Sequence, residues 1–323
     1  VGAWLRQILT RLVFDRHRPE PREMLVGDLE ELDRFSLYDL VWDEDPLPYS
    51  DNLHGDFLAQ FDDEEVRRAL LALPEAYRVA LTWDLSAMGR GAAAVSTFGD
   101  GDVYLAAGPL ARIYDAFYMA GPLKRQPDPP RGAFQAVWGG EPGFDPRPAL
   151  AWAEQLHGWM SRFFGDPAEP PYRIFLRANP APNAGGGAAY PHSFLWSYGD
   201  GVAAAHMQAI LGHEMTHTWT SAEIGKWYSE GDAVFYQQRL PWKAGMVGTD
   251  AYLADINKTA ARYYANDLRG LSDAEAMNGY WADVRKIVIP YDRGAVYIAV
   301  LNGKIRRASG GKRSVDDLIR VVV

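Results

Sequence analysis

Apolar positions at a helical period run through residues 201–212, a stretch rich in helix formers that is entered from a Ser-Tyr-Gly-Asp-Gly turn. The pattern predicts a buried helix that continues into residues 213–219. Upstream, residues 77–84 and 102–108 have the composition of short strands, and the proline-rich stretch 126–132 reads as a connection between domains. A strand at 133–138, a long helix at 146–164 and a strand at 172–176 are expected next, and beyond residue 250 the chain reads as helices. Residues 4–14 form an amphipathic pattern, with Trp4, Leu5, Ile8 and Leu12 on one side and Arg6 and Arg11 elsewhere. The fold class expected is α+β. A β-rich domain at 1–128 precedes a second domain at 129–323, whose strand-and-helix part runs to 249 and whose helical part runs from 250.

The predicted buried helix carries His213-Glu-Met-Thr-His217. One turn separates the two histidines, so both imidazoles can reach one zinc ion while Glu214 points toward its open coordination position. A hydrolytic zinc site takes a third protein ligand from another element and leaves one position for water. Glu230, in Trp227-Tyr-Ser-Glu-Gly, is the candidate. A break at Gly225 would end the first helix and let a second return Glu230 to the histidines. The expected cofactor is one Zn2+, held by His213, His217 and Glu230, with Glu214 as general base. His206 is assigned no site role. Asp232, two residues past Glu230, is expected on a solvated helix face.

His-Glu-x-x-His-x-Trp, Trp-x-x-Glu-Gly, and the segment Pro290-Tyr291-Asp292-Arg293-Gly294, followed by Gly310-Gly311-Lys312 and Ser314-Val-Asp-Asp, together resemble the gluzincin metallopeptidases, most closely the glycyl aminopeptidase family. The resemblance covers residues 130–323. It implies a thermolysin-like catalytic domain, a peptide substrate, and a periplasmic or secreted location. It also implies a catalytic role for Tyr291, whose phenol can donate a hydrogen bond to the oxyanion that forms on a peptide carbonyl.

Two departures stand out. Only twelve residues separate His217 from Glu230, so the cleft-bordering loop of the family is shortened. The strand that in the aminopeptidases presents an acid to the substrate amine corresponds to residues 183–194, which contain no acid. A buried ammonium group needs a paired negative charge, so aminopeptidase specificity is weakened. Gly185, Gly186 and Gly187 are candidates for an edge strand that pairs with an extended substrate, or for a plain glycine loop. His192 is a candidate substrate contact. Two other readings follow: a zincin-like peptide-binding module with little hydrolysis, and a zinc hydrolase of another acyl substrate.

Composition changes the picture little. The chain has 323 residues with 48% hydrophobic content, enough for two cores. A net charge of −9, with no basic cluster expected to neutralise phosphates, argues against a nucleic-acid partner, and no apolar run reaches the roughly 20 residues of a spanning helix. Residues 28–65 are acidic without the ligand spacing of a calcium loop. The absence of cysteine leaves histidine and carboxylate as the zinc donors. The start at Val1 is expected to reflect a removed leader or a longer precursor.

Overall fold

The computed structural model describes residues 77–108, 111–166, 170–178, 187–190, 192–199, 207–220, 226–279 and 283–322. The amphipathic segment 4–14, the acidic segment 28–65, Gly185, Gly186, His206 and the break at Gly225 lie outside them. The architecture is mixed α+β.

Its centre is a five-stranded sheet in the order β6-β7-β8-β10-β9, with β6 Leu123–Gln126, β7 Phe134–Gly139, β8 Tyr172–Ala178, β9 Gly187–Tyr190 and β10 Ser193–Tyr198. The inner strands β7, β8 and β10 are parallel, and the outer β6 and β9 pair antiparallel. Parallel strands are covered on both faces, and the two-residue period of each strand divides its side chains accordingly. Phe134, Ala136, Trp138, Ile174, Leu176, Phe194 and Trp196 face a large core shared with the helices. Val137 and Phe175 face a smaller core with Val95 and Phe117. Those two residues belong to or adjoin a three-stranded sheet of β2 Ala93–Ser96, β3 Gly99–Asp100 and β5 Tyr118–Gly121, while β1 Tyr77–Leu81 pairs with β4 Val103–Gly108. The short helix α1, Ala111–Tyr114, precedes β5.

One expectation needs correcting. The proline-rich stretch is not an inter-domain connection: it joins β6 to β7, which are paired Arg125 to Val137 within the same sheet.

Helix α2, Arg147–Phe164, lies on the large-core face because Leu150, Ala153, Leu156, His157, Met160 and Phe164 recur at three- and four-residue intervals. Gly165 ends it in the left-handed conformation at φ 80°, where its N–H and that of Asp166 satisfy carbonyls of the last turn. After β10 come α3, Met207–Thr216, and α4, Lys226–Lys243. The helical part consists of α5 Thr249–Ala265, α6 Asp273–Met277, α7 Val284–Ala308 and α8 Val315–Val322. Among the described residues no helix is long and apolar enough to cross a membrane.

Helix α4 is enclosed on nearly every side, since the six consecutive residues 231–236 are all buried. Asp232 is therefore fully buried rather than solvated, contrary to the sequence-based expectation, and its carboxyl oxygens have no hydrogen-bond partner among the described residues. Burial raises its pKa to about 8, keeping the proton on the acid near neutrality. Among the described residues the most extensive helix contact is between α4 and α7. A Cβ added to Gly231 would stand 2.3 Å from the Cα of Gly294, so only glycine permits this backbone approach.

Candidate metal centre

His213 lies on α3 and His217 is the first residue beyond it, in the turn where the N–H groups of Thr218 and Trp219 bond back to Met215 and Thr216. Glu230 is on α4 and Tyr291 on α7. The structure brings these residues together. Nε2 of His213 is 3.1 Å from Oε2 of Glu230 and 3.3 Å from Nε2 of His217, and His217 Nε2 is 3.6 Å from the same carboxylate oxygen. Among the described residues this is the one group of three histidine or acidic donors that could hold a metal ion.

The triangle can be tested against the ion that its chemistry suggests. A tetrahedral zinc with bonds of about 2.0–2.2 Å requires donor-to-donor edges of roughly 3.3–3.5 Å. The observed edges bracket that length, and two imidazoles with one carboxylate form a donor set that zinc accepts. The tautomers agree as well. Nδ1 of His213 is 2.9 Å from Oε1 of Gln237, and Nδ1 of His217 is 3.4 Å from the Ser229 hydroxyl. When each Nδ1 donates its proton to these oxygens, both Nε2 lone pairs are free to face the centre. The residues present fit the ion.

Electrostatics point the same way. Burial by itself would raise the Glu230 carboxyl, but its hydrogen bonds with His213 and His217 and their charge hold it well below the usual carboxylate range. Burial by itself would lower the His217 imidazole, yet the hydrogen bond and charge of Glu230 raise it. The triangle thus favours positive charge at its centre. Glu214 is buried beside it; burial raises its carboxyl, opposed by the two histidines and reinforced by Glu230. A carboxylate raised in this way is a competent proton acceptor near neutral pH.

Tyr291 is buried with its ring stacked on His213, at 5.7 Å between centroids and 19° between planes. The next two residues anchor it. Asp292, fully buried, accepts from Arg262 of α5 at 2.6 Å and through a second, parallel bond. Arg293 donates to Asp273 at 2.7 Å and to the carbonyls of Arg269 and Leu271. These bonds tie α7 to α5 and α6 directly after the tyrosine.

The remaining candidates are placed less centrally. Gly187 opens β9, the edge strand, where a Cβ would collide with the Phe194 ring at 2.1 Å. Residues 187–190 are thus strand rather than loop. His192 occupies the turn between β9 and β10 at a positive φ of 60°. The side chains that act on it electrostatically are Asp166 and His157. Sequence reasoning missed Gln237 and Ser229. The signal for Gln237 was its spacing, seven residues or two turns after Glu230, which returns it to the face of α4 that carries the ligand.

The fold is shared with solved structures. It is similar to that of an aminopeptidase N family protein from Idiomarina loihiensis, at a TM-score of 0.54 and 15% identity, over 71% of this chain and 46% of that one. An M1 zinc metallopeptidase from Deinococcus radiodurans matches at a TM-score of 0.43 and 20% identity, over 73% and 54%. The chain spans about half the length of these structures. No family model and no curated protein matches it.

Proposed function

We propose that this chain is a zinc-dependent metallopeptidase of the gluzincin type, with one ion held by His213, His217 and Glu230. The observation that carries the reading is the triangle of donor atoms with edges of 3.1, 3.3 and 3.6 Å, part-buried beside the buried Glu214 and Tyr291. The likeness in fold to an aminopeptidase N family protein supports it. The catalytic unit of the reading is residues 129–323, to whose sheet β6 adds an edge strand from just ahead of those bounds, and export from the cytoplasm belongs to the same reading.

Zinc, when bound, supplies a Lewis acid that polarises a carbonyl and brings the pKa of water down to about 7. The protein does the rest. Gln237 and Ser229 hold the imidazoles in the ligand tautomer. Glu214 accepts the proton of the attacking water and passes it to the leaving nitrogen. Tyr291 donates a hydrogen bond to the oxyanion of the tetrahedral intermediate. The outer edge of β9, unpaired among the described residues, offers backbone groups to an extended peptide from Gly187 onward, with Gly185 and Gly186 preceding it in sequence as further candidates.

One observation favours a second reading. β9 reads Gly-Ala-Ala-Tyr and carries no acid to pair with a substrate ammonium group, so a peptide-binding module with little hydrolysis is the competitor. A mixed peptide library incubated with and without chelator separates the two. The peptidase reading expects chelator-sensitive cleavage that is abolished in Glu214→Gln while zinc is retained. Retention of peptides without products would favour the module, and cleavage confined to ester or other acyl probes would change the substrate class.

A further inference from the structure

Away from the metal centre, α4, α5 and α7 enclose an open groove of about 390 Å³. Its walls are mostly apolar: Phe235, Ile256, Tyr264, Val296, Ala299 and Val300 contribute, with Tyr264 61% and Val300 49% exposed. The one ionic side chain lining it is Arg307, and it contains no acid. Val300, Gly303, Lys304 and Arg307 follow one another at helical spacing, so the groove leads directly onto a basic surface at the end of α7. Lys304, Arg306, Arg307, Lys312 and Arg313 are all exposed, and among the described residues none is in an ion pair. This cluster corrects the sequence-based statement that no basic patch stood out; the overall charge of −9 had hidden it.

The charge balance of the chain identifies a complement. Residues 77–323 contain 25 lysines and arginines against 24 acids, so the whole negative excess of the chain lies ahead of them. Residues 28–45 alone carry eight acids and one arginine, interleaved with Leu29, Leu32, Phe35, Tyr38, Leu40 and Trp42. That composition matches an apolar groove with a basic rim: aromatic and aliphatic side chains for the walls, carboxylates for the cations. The 32 residue-to-residue steps from Asp45 to Tyr77 can extend to about 100 Å, whereas a folded body of this size has a radius of gyration of about 18 Å, so length permits the contact anywhere on the surface.

We propose that residues 28–45 of this same chain occupy the α4–α5–α7 groove, their acidic side chains against Lys304, Arg307 and Lys312. The metal reading is not needed for this. The test is zero-length carbodiimide coupling of the full chain at low micromolar concentration, with an equal mixture of ¹⁴N- and ¹⁵N-labelled protein. The expected result is coupling of Lys304 or Lys312 to an Asp or Glu of 28–45 within single-isotope molecules. Val300→Asp places a charge in the mouth of the groove while leaving both lysines, and should lower that yield at least fivefold at an unchanged melting temperature. Mixed-isotope products would assign the groove to a second copy. Products confined to acids of 77–323, or a yield unaffected by Val300→Asp, would overturn the proposal. Retention of the chain on heparin without coupling to 28–45 would give the cations to a polyanion instead.

Discussion

Gly231 and Gly294 face each other across the α4–α7 contact so closely that a single methyl on Gly231 would overlap the Gly294 backbone at 2.3 Å. Each glycine lies near a residue of the centre, Gly231 directly after Glu230 and Gly294 three residues after Tyr291. The Glu-Gly and Tyr-x-Arg-Gly sequences are therefore two halves of one packing feature. The bare backbones bring a carboxylate from one helix and a phenol from the other to the same imidazole of His213.

Gly231→Ala should force α4 and α7 apart. Overpacking of a dense core costs about 1–3 kcal/mol, and a backbone contact this short belongs at or above the top of that range. We expect a lower melting temperature together with weaker zinc binding, measured by thermal unfolding and chelator competition. A melting temperature equal to wild type would mean that the helices do not meet here.

Gln237→Ala should weaken zinc binding by about 10- to 100-fold, the usual consequence of removing a hydrogen-bonded support behind a metal-bound histidine. Gln237→Glu keeps an acceptor for Nδ1 of His213 and should retain affinity. Competition with a fluorescent chelator measures both, and equal affinities for the alanine variant and wild type would remove Gln237 from the centre.

For Tyr291→Phe the loss should be confined to turnover, on the order of 100-fold, as for other oxyanion donors, with zinc content unchanged. The ring stacks on His213 in either variant, so the comparison isolates the hydroxyl. Wild-type turnover in Tyr291→Phe would leave the residue a packing element.

Asp316 of α8 accepts from Arg239 at 2.9 and 3.0 Å, from Tyr236 at 3.2 Å and from Lys243, all on α4. Burial would raise its carboxyl, but the bonds from Arg239 and Lys243 lower it to about 2. Its folded-state pKa is thus below its unfolded value near 4, so the stabilisation is full above about pH 4 and is lost as the pH falls toward 2. The shift corresponds to about 2–3 kcal/mol. Asp316→Ala should cost about 3–5 kcal/mol at neutral pH, because it leaves Arg239 buried without its partner. Urea unfolding at pH 6 and pH 2.5 checks both: the gap between wild type and variant should narrow in acid, and a constant gap would contradict the assignment.

The legibility of this chain in its sequence followed physical lines. The pair His213 and His217 was readable because a helical period fixes where four-residue neighbours point, and α2 was readable from its amphipathic spacing. Asp232 was misread because helix geometry says which residues share a face but not how many faces are covered, and α4 is enclosed on nearly all of them. The proline-rich stretch was misread because its composition marks a break in regular structure without saying that the strands on either side pair. Gln237 carried no motif, and its role depends on a side-chain contact 24 residues away in sequence. The basic end of α7 disappeared into a whole-chain charge dominated by residues ahead of Tyr77.

The measurement closest to the centre of this account is zinc stoichiometry by elemental analysis after exhaustive dialysis, on wild type beside Glu230→Ala and Glu214→Gln. The account predicts about one zinc per chain in wild type and in Glu214→Gln, and a large loss in Glu230→Ala, whose carboxylate forms one corner of the triangle. Wild-type protein that retains no zinc, or Glu230→Ala protein that retains as much as wild type, would contradict it.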